Sequence, residues 1–139
     1  MQNKELIELA LRARENAYAP YSNFFVGAAL LCDDGSVYLG CNVENASYGA
    51  TICAERTAFM YWAQTGAAIS GRKPVAIAVV GGKDGVITDF APPCGICRQV
   101  MMEFCDPDTF RIILTNGKEV RSYTLSELLP LGFGPSKLD

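Results

Sequence analysis

The chain has 139 residues, half of them apolar and 19% charged, the composition of a globular protein rather than a disordered segment. Twelve basic against fifteen acidic residues give a net charge of −3 with no Lys/Arg cluster, which argues against a nucleic-acid binder. Histidine is absent, so Ser-His-Asp and Cys-His nucleophilic sites and every His-ligated metal motif are excluded, and acid–base work near neutral pH falls to Glu, Asp, Lys, Cys or Tyr.

Residues 3–18 predict an amphipathic helix, with Leu6, Ala10, Ala13 and Ala17 at helical spacing, ended by Ala19-Pro20. The charges of this segment exclude a signal-peptide apolar run. Phe24 to Cys32 predicts a strand whose apolar residues fall on both parities, so both sheet faces should be covered. Even this run is about half a bilayer span, and a cytoplasmic location is expected. Asp33-Asp34-Gly35 then reads as a turn and Ser36 to Val43 as a second strand. Val37, Leu39, Cys41 and Val43 share one face of it, a core pattern; Tyr38, Asn42 and Glu44 share the other. Residues 52–65 predict a largely apolar, buried helix with Thr51 as its N-cap.

Pro74 to Val80 predicts a buried strand, and residues 81–85 a turn; no Lys-Ser/Thr follows to make it a phosphate loop. Pro92-Pro93 opens a helix to about Cys105, with Pro93 as its first residue and Ile96, Val100 and Phe104 as its apolar stripe. Phe110 to Thr115 and Glu119 to Tyr123 form a strand pair around Asn116-Gly117. A short helix near Ser126 precedes a Gly/Pro-rich tail. No repeat or linker divides residues 1–139, so one domain is expected, an α/β fold with a sheet layered between helices.

In a cytosolic protein the six cysteines read as ligands, reactive thiols or core residues before disulfides. Cys94 and Cys97 form Pro-Cys-Gly-Ile-Cys, a spacing that puts two sulfurs one turn apart on a helix. Cys53, in Cys53-Ala54-Glu55, offers a third thiolate from another helix. Three protein ligands leave a zinc ion with an open position for water, as catalytic sites require, whereas structural sites are closed by four. Both cysteine groups sit at predicted helix starts, where free amides and the dipole favour thiolates. Three thiolates on Zn²⁺ leave a negative charge, and Arg56 or Arg98 is placed to offset it at a ligand sulfur, with Arg56 preferred. Without histidine, Glu55 is the candidate proton shuttle. Cys32, Cys41 and Cys105 read as inert.

Two other classes compete on these residues. Cys94-Gly-Ile-Cys97 alone also fits a thiol oxidoreductase, although that leaves Cys53-Ala-Glu unexplained. A zinc-stabilised binding module would need a fourth protein ligand.

Cys53-Ala54-Glu55 followed by Pro93-Cys94-Gly95-Ile96-Cys97 resembles the zinc deaminase signature in its three-cysteine form. The runs Tyr21-Ser22-Asn23-Phe24, Asn42 through Tyr48, Cys53 through Ala58 and Cys94 through Val100 closely resemble cytidine deaminases of the small homotetrameric type, and the similarity spans nearly the whole chain. The resemblance implies a three-layer α/β/α sandwich with a mixed five-stranded sheet. It implies one Zn²⁺ per chain on Cys53, Cys94 and Cys97. Zinc hydroxide would attack C4 of cytidine or 2′-deoxycytidine while Glu55 protonates N3 and then the departing amine. Ala54 would meet the base through its amide, Asn42 and Glu44 the ribose hydroxyls, and Phe24 the pyrimidine face. Phe133 would be lent to a neighbouring subunit's site in a homotetramer with shared active sites. The expected partner is a small nucleoside, with neither nucleic acid nor membrane, in pyrimidine salvage. A deaminase of another aminated nucleoside, of the antibiotic-nucleoside type, is the nearest alternative. The loop around 82–91 is long for the family pattern and bears on the site mouth.

Overall fold

The protein is described over residues 1–138 by a computed structural model. Five strands form one mixed sheet: β1 (Phe24–Cys32), β2 (Val37–Cys41), β3 (Pro74–Lys83), β4 (Arg111–Thr115) and β5 (Val120–Thr124), in the order β2-β1-β3-β4-β5. Antiparallel pairing joins β1 to both β2 and β3, and β4 to β5, whereas β3 and β4 are parallel. The α-helices are α1 (Asn3–Arg14), α2 (Ala54–Gln64), α3 (Ala67–Ser70), α4 (Gly95–Phe104) and α5 (Leu125–Leu128), with short 3-10 turns at Tyr48–Ala50 and Pro135–Leu138.

The sheet is covered on both faces because its central strands are apolar on both parities. Ala28 and Leu30 of β1, Ile77 and Val79 of β3, and Ile112 and Leu114 of β4 pack with Phe59, Trp62 and Met101 from α2 and α4. Ala29, Leu31, Ala76, Ala78, Val80 and Ile113 pack on the other face with Leu6, Ile7 and Ala10 of α1. The outcome is three layers, helix–sheet–helix, as expected. Two glycines allow the close approach. A Cβ on Gly27 would stand 2.0 Å from the Ala10 carbonyl oxygen, and one on Gly40 would stand 2.4 Å from that of Ala54.

Strands β2 and β3 both run antiparallel to β1, so they point the same way. Each is followed by a helix on the same face of the sheet, α2 after β2 and α4 after β3. The N-termini of these two helices therefore meet at one end of the sheet, beyond the carboxyl ends of the strands, where open α/β sheets bind ligands.

Several predicted boundaries move for reasons lying outside the local sequence. The first helix ends at Arg14 rather than 18, because Tyr18 pairs with Val43 and bonds to Asn42 and Glu44. The Gly81-Gly82 pair, expected in a turn, continues β3 opposite Val26 and Phe25, and the chain turns instead at Asp84-Gly85. On β2 it is Tyr38 that is buried, edge-on to Tyr61; Cys41 is half-buried beside Arg12, Glu15 and Asn16 rather than in the core. On α4 the buried residues are Cys97 and Met101, and Ile96 stands 62% exposed. Among the described residues no helix is long and apolar enough to cross a membrane.

Candidate active site

Both helices that meet at the sheet end begin on a cysteine. Cys53 (φ −76°, ψ 157°) is the N-cap of α2, and Cys94 (φ −70°, ψ 170°) is the N-cap of α4. The sequence reading made each the second residue of its helix. Helix α2 starts late because Ile52 is held extended by its pairing with Val43. Thr51, the predicted cap, instead accepts a hydrogen bond from the Asn45 amide at 3.0 Å. Extended backbone at Cys94 sets the start of α4 after Pro93, which is fully buried. In both cases the cysteine lies at the positive end of the helix dipole, with unbonded first-turn amides around it.

The Sγ atoms of Cys53, Cys94 and Cys97 all lie within 4.8 Å of one another, with Cys53–Cys94 at 3.6 Å and Cys94–Cys97 at 3.3 Å. Bonds of about 2.3 Å to a tetrahedral zinc put two thiolates about 3.8 Å apart, so the three sulfurs fit this ion. Hydrogen bonding from the Cys97 thiol, then from Arg56 and Cys94, pulls the Cys53 thiol down to about 5. The same sharing, together with burial and the Glu55 carboxyl, pushes Cys97 up. Arg56 Nη2 donates to Cys53 Sγ at 3.6 Å and to the Thr51 carbonyl at 3.4 Å, and its Nε is buried without a partner. Arg98 turns elsewhere, donating to the carbonyls of Pro93 and Leu128. Cys32 and Cys105 lie in the core, away from the cluster.

Glu55, the second residue of α2, is 4% exposed. Burial, reinforced by the Cys53 charge, pushes its carboxyl up to about 7, within reach of both protonation states near neutral pH. Glu55 and two of the cysteines, Cys53 and Cys94, line a cleft of about 470 Å³. Phe24, Asn42, Glu44 and Ala54 line it as well.

Asn42 and Glu44 already carry structural hydrogen bonds. Asn42 Oδ1 accepts from the Val26 amide at 2.9 Å and its Nδ2 donates to the Phe24 carbonyl at 2.8 Å, which stitches the end of β2 to β1. Glu44 Oε1 accepts from the amides of Tyr21 (2.9 Å) and Ser22 (3.1 Å), and Oε2 accepts from the Ser22 hydroxyl. An amide nitrogen has two donors and a carboxylate about four acceptor positions, so one N–H of Asn42 and one lone pair of Glu44 remain open. Phe133 does not reach the cleft of its own chain; it is 58% exposed, and its carbonyl accepts from Gln99 Nε2 at 2.7 Å. Cleft residues that the sequence did not reveal include Ser22, Thr51 and Phe90. Ser22 stood inside a recognised run, Thr51 was read as a cap, and Phe90 had no signal of its own.

Residues 1–112 match the sequence model of the family described as "Cytidine and deoxycytidylate deaminase zinc-binding region". The chain is 51% identical over 134 residues to a cytidine deaminase of Halalkalibacterium halodurans, covering 96% of this chain and 95% of that one. It is 45% identical to a cytidine deaminase of Sporosarcina psychrophila, covering 99% and 96%. Among solved structures, the cytidine deaminase of Burkholderia pseudomallei superposes with a TM-score of 0.81 at 49% identity, over 96% of this chain and all of that one. The Mycobacterium tuberculosis enzyme superposes with a TM-score of 0.78 at 40% identity, over 96% of this chain and 98% of that one.

Proposed function

The chain belongs to the cytidine and deoxycytidylate deaminase family, and on that premise we propose that it is a hydrolase converting cytidine and 2′-deoxycytidine with water to uridine and 2′-deoxyuridine plus ammonia. The observation that carries this reading is the three-sulfur cluster beside a buried glutamate in a nucleoside-sized cleft. A thiol oxidoreductase would have no use for Cys53 and Glu55 beside its dithiol. No fourth protein ligand joins the cluster among the described residues, as a closed structural zinc site would require.

Cys53, Cys94 and Cys97 would hold one zinc ion. When bound, zinc supplies the Lewis acidity that makes water nucleophilic near neutral pH. Arg56 donates to the Cys53 sulfur and offsets the excess negative charge of three thiolates. Glu55 takes one proton from the attacking water and passes it to N3, then takes the second from the hydroxyl now on C4 and passes it to the amine, which leaves as ammonia as the C4 carbonyl forms. The Ala54 amide, in the first turn of α2 and free of intrahelical bonding, meets the base. The open N–H of Asn42 and the open lone pair of Glu44 take ribose hydroxyls. One acceptor position on Glu44 suits the 3′-hydroxyl shared by both nucleosides, so comparable efficiency on the two is expected. Phe24 packs on the pyrimidine. Phe133, exposed and outside its own cleft, completes the site of a neighbouring copy in a homotetramer. The setting is cytoplasmic pyrimidine salvage, and residues 1–139 act as one domain.

Glu55→Gln tests the proton-shuttle role. The variant is expected to retain one zinc per chain by elemental analysis and to lose at least about a hundredfold in kcat. Full turnover with zinc bound would contradict it.

A further inference from the structure

Phe90 lies in the cleft wall and is outside the machinery described so far. It is half-buried, lines the cleft together with Phe24, Val26 and Ala91, and packs on the core cluster under α2 and α4. Its ring is capped by the guanidinium of Arg121, whose central carbon lies 4.3 Å from the ring centroid. Arg121 sits on the edge strand β5 and is itself held by Glu119 at 3.1 Å.

The loop that carries Phe90 is tied down at its start, over residues 82–87. The Asp84 amide donates to the Asn23 carbonyl at 2.9 Å, and the two side chains also bond. The chain then folds back so tightly over β3 that a Cβ on Gly82 would stand 1.7 Å from the Val86 oxygen. Further on, Ile87 packs on the cluster beneath α1. With its loop anchored and one face covered by Arg121, the Phe90 ring is a fixed wall.

What that wall faces follows from the pyrimidine itself. Asn42 and Glu44 take the ribose side, Ala54 and Glu55 the C2–N3 edge, and the three sulfurs the region of C4. The C5–C6 edge, whose hydrogens neither donate nor accept conventional hydrogen bonds, is left for the apolar lining. Of that lining, Phe90, Ala91 and Pro92 form one stretch of cleft wall that leads into Cys94, so it is the apolar wall continuous with the C4 end of the site, where C5 adjoins.

We propose that Phe90, braced from outside by Arg121, limits the substituents tolerated at C5 of the pyrimidine; the assignment rests on cytidine deamination at this site. Phe90 acts as a specificity wall and Arg121 as its positioning residue.

The test compares kcat/KM for 5-methylcytidine and for cytidine in zinc-replete wild type, Phe90→Ala, Arg121→Ala and Arg121→Lys. A methylene-sized difference in an apolar pocket is worth about tenfold or more in kcat/KM. Phe90→Ala is therefore expected to raise the 5-methylcytidine:cytidine ratio roughly tenfold. Arg121→Ala should raise it by a smaller factor, and Arg121→Lys, which keeps a cation over the ring, should fall between Arg121→Ala and wild type. A general loss of folding lowers both substrates together and leaves the ratio unmoved. If Phe90→Ala does not fold, Phe90→Leu keeps the apolar packing with a shorter reach and is read by the same ratio. A ratio within about twofold of wild type in a folded, zinc-loaded Phe90 variant overturns the proposal while cytidine deamination stands. Failure of the wild type to turn over cytidine overturns both.

Discussion

Glu44 joins local structure to recognition in a single carboxylate. Three donors from Tyr21 and Ser22 pin the segment that leads into Phe24, and one lone pair is left facing the cleft. The Ser22 hydroxyl, followed by the amides of Ser22 and Tyr21, holds the carboxyl below its usual value of 4.5. A carboxyl depressed in the folded state adds stability that is present above the unfolded value and lost as pH falls through the folded one. Thermal melts of wild type and Glu44→Gln should therefore differ most above the unfolded carboxyl value and converge as pH falls below it. A gap that widens on acidification would contradict the assignment. The chemistry at this scale was well marked in the sequence, since Cys53-Ala-Glu55 and Cys94-x-x-Cys97 carry their spacing on the page. Of the two arginines that could meet the sulfur, Arg56 was preferred, but no local signal excluded Arg98. Arg56 follows the Cys53-Ala54-Glu55 triplet and Arg98 follows Cys97, and only the fold shows that Arg56 meets the Cys53 sulfur while Arg98 is taken up by the Pro93 and Leu128 carbonyls.

At the scale of elements, the site depends on where α2 and α4 begin. Neither start was placed correctly from local signals, because each is set by contacts distant in sequence or by extended backbone. Ile52 is drawn into a bridge with Val43, which delays α2 until Cys53 caps it. The Gly81-Gly82 pair resembles a turn, yet β1 runs alongside it through Phe24 opposite Lys83. Phe90 was illegible for the same reason: its partners, the core cluster and Arg121, are assembled only by the fold. The strands were easier to read because their apolar runs report burial directly. Gly40 is the contact that sets how close α2 lies to β2. An added Cβ would stand 2.4 Å from the Ala54 carbonyl oxygen and 2.5 Å from the Ala58 nitrogen, both backbone atoms that cannot swing aside. Gly40→Ala should therefore push out the helix that carries Cys53 and Glu55, costing about 1–3 kcal/mol and lowering zinc retention on dialysis. Unchanged stability and zinc content would show that α2 is not held in this way.

For the whole molecule, the proposed association of copies draws on apolar side chains exposed along the tail. Leu131, Phe133 and Leu138 are exposed there, and Ile96 is exposed on α4, whose Gln99 bonds to the Phe133 carbonyl. Patches of this kind mark association surfaces. If Phe133 completes a neighbour's site, Phe133→Ala and Glu55→Gln damage the same site through different chains. Mixing the two weakly active variants under conditions of subunit exchange should regenerate sites with both residues intact and restore part of the wild-type rate. A mixture no faster than the sum of its components, or a monomer by light scattering, would contradict shared sites. The central claim is the reaction itself, and it is tested most directly by ultraviolet absorbance when zinc-replete protein meets cytidine. The account predicts loss of the cytosine chromophore with stoichiometric uridine and ammonia. An unchanged spectrum on both cytidine and 2′-deoxycytidine, with one zinc bound per chain, would contradict it.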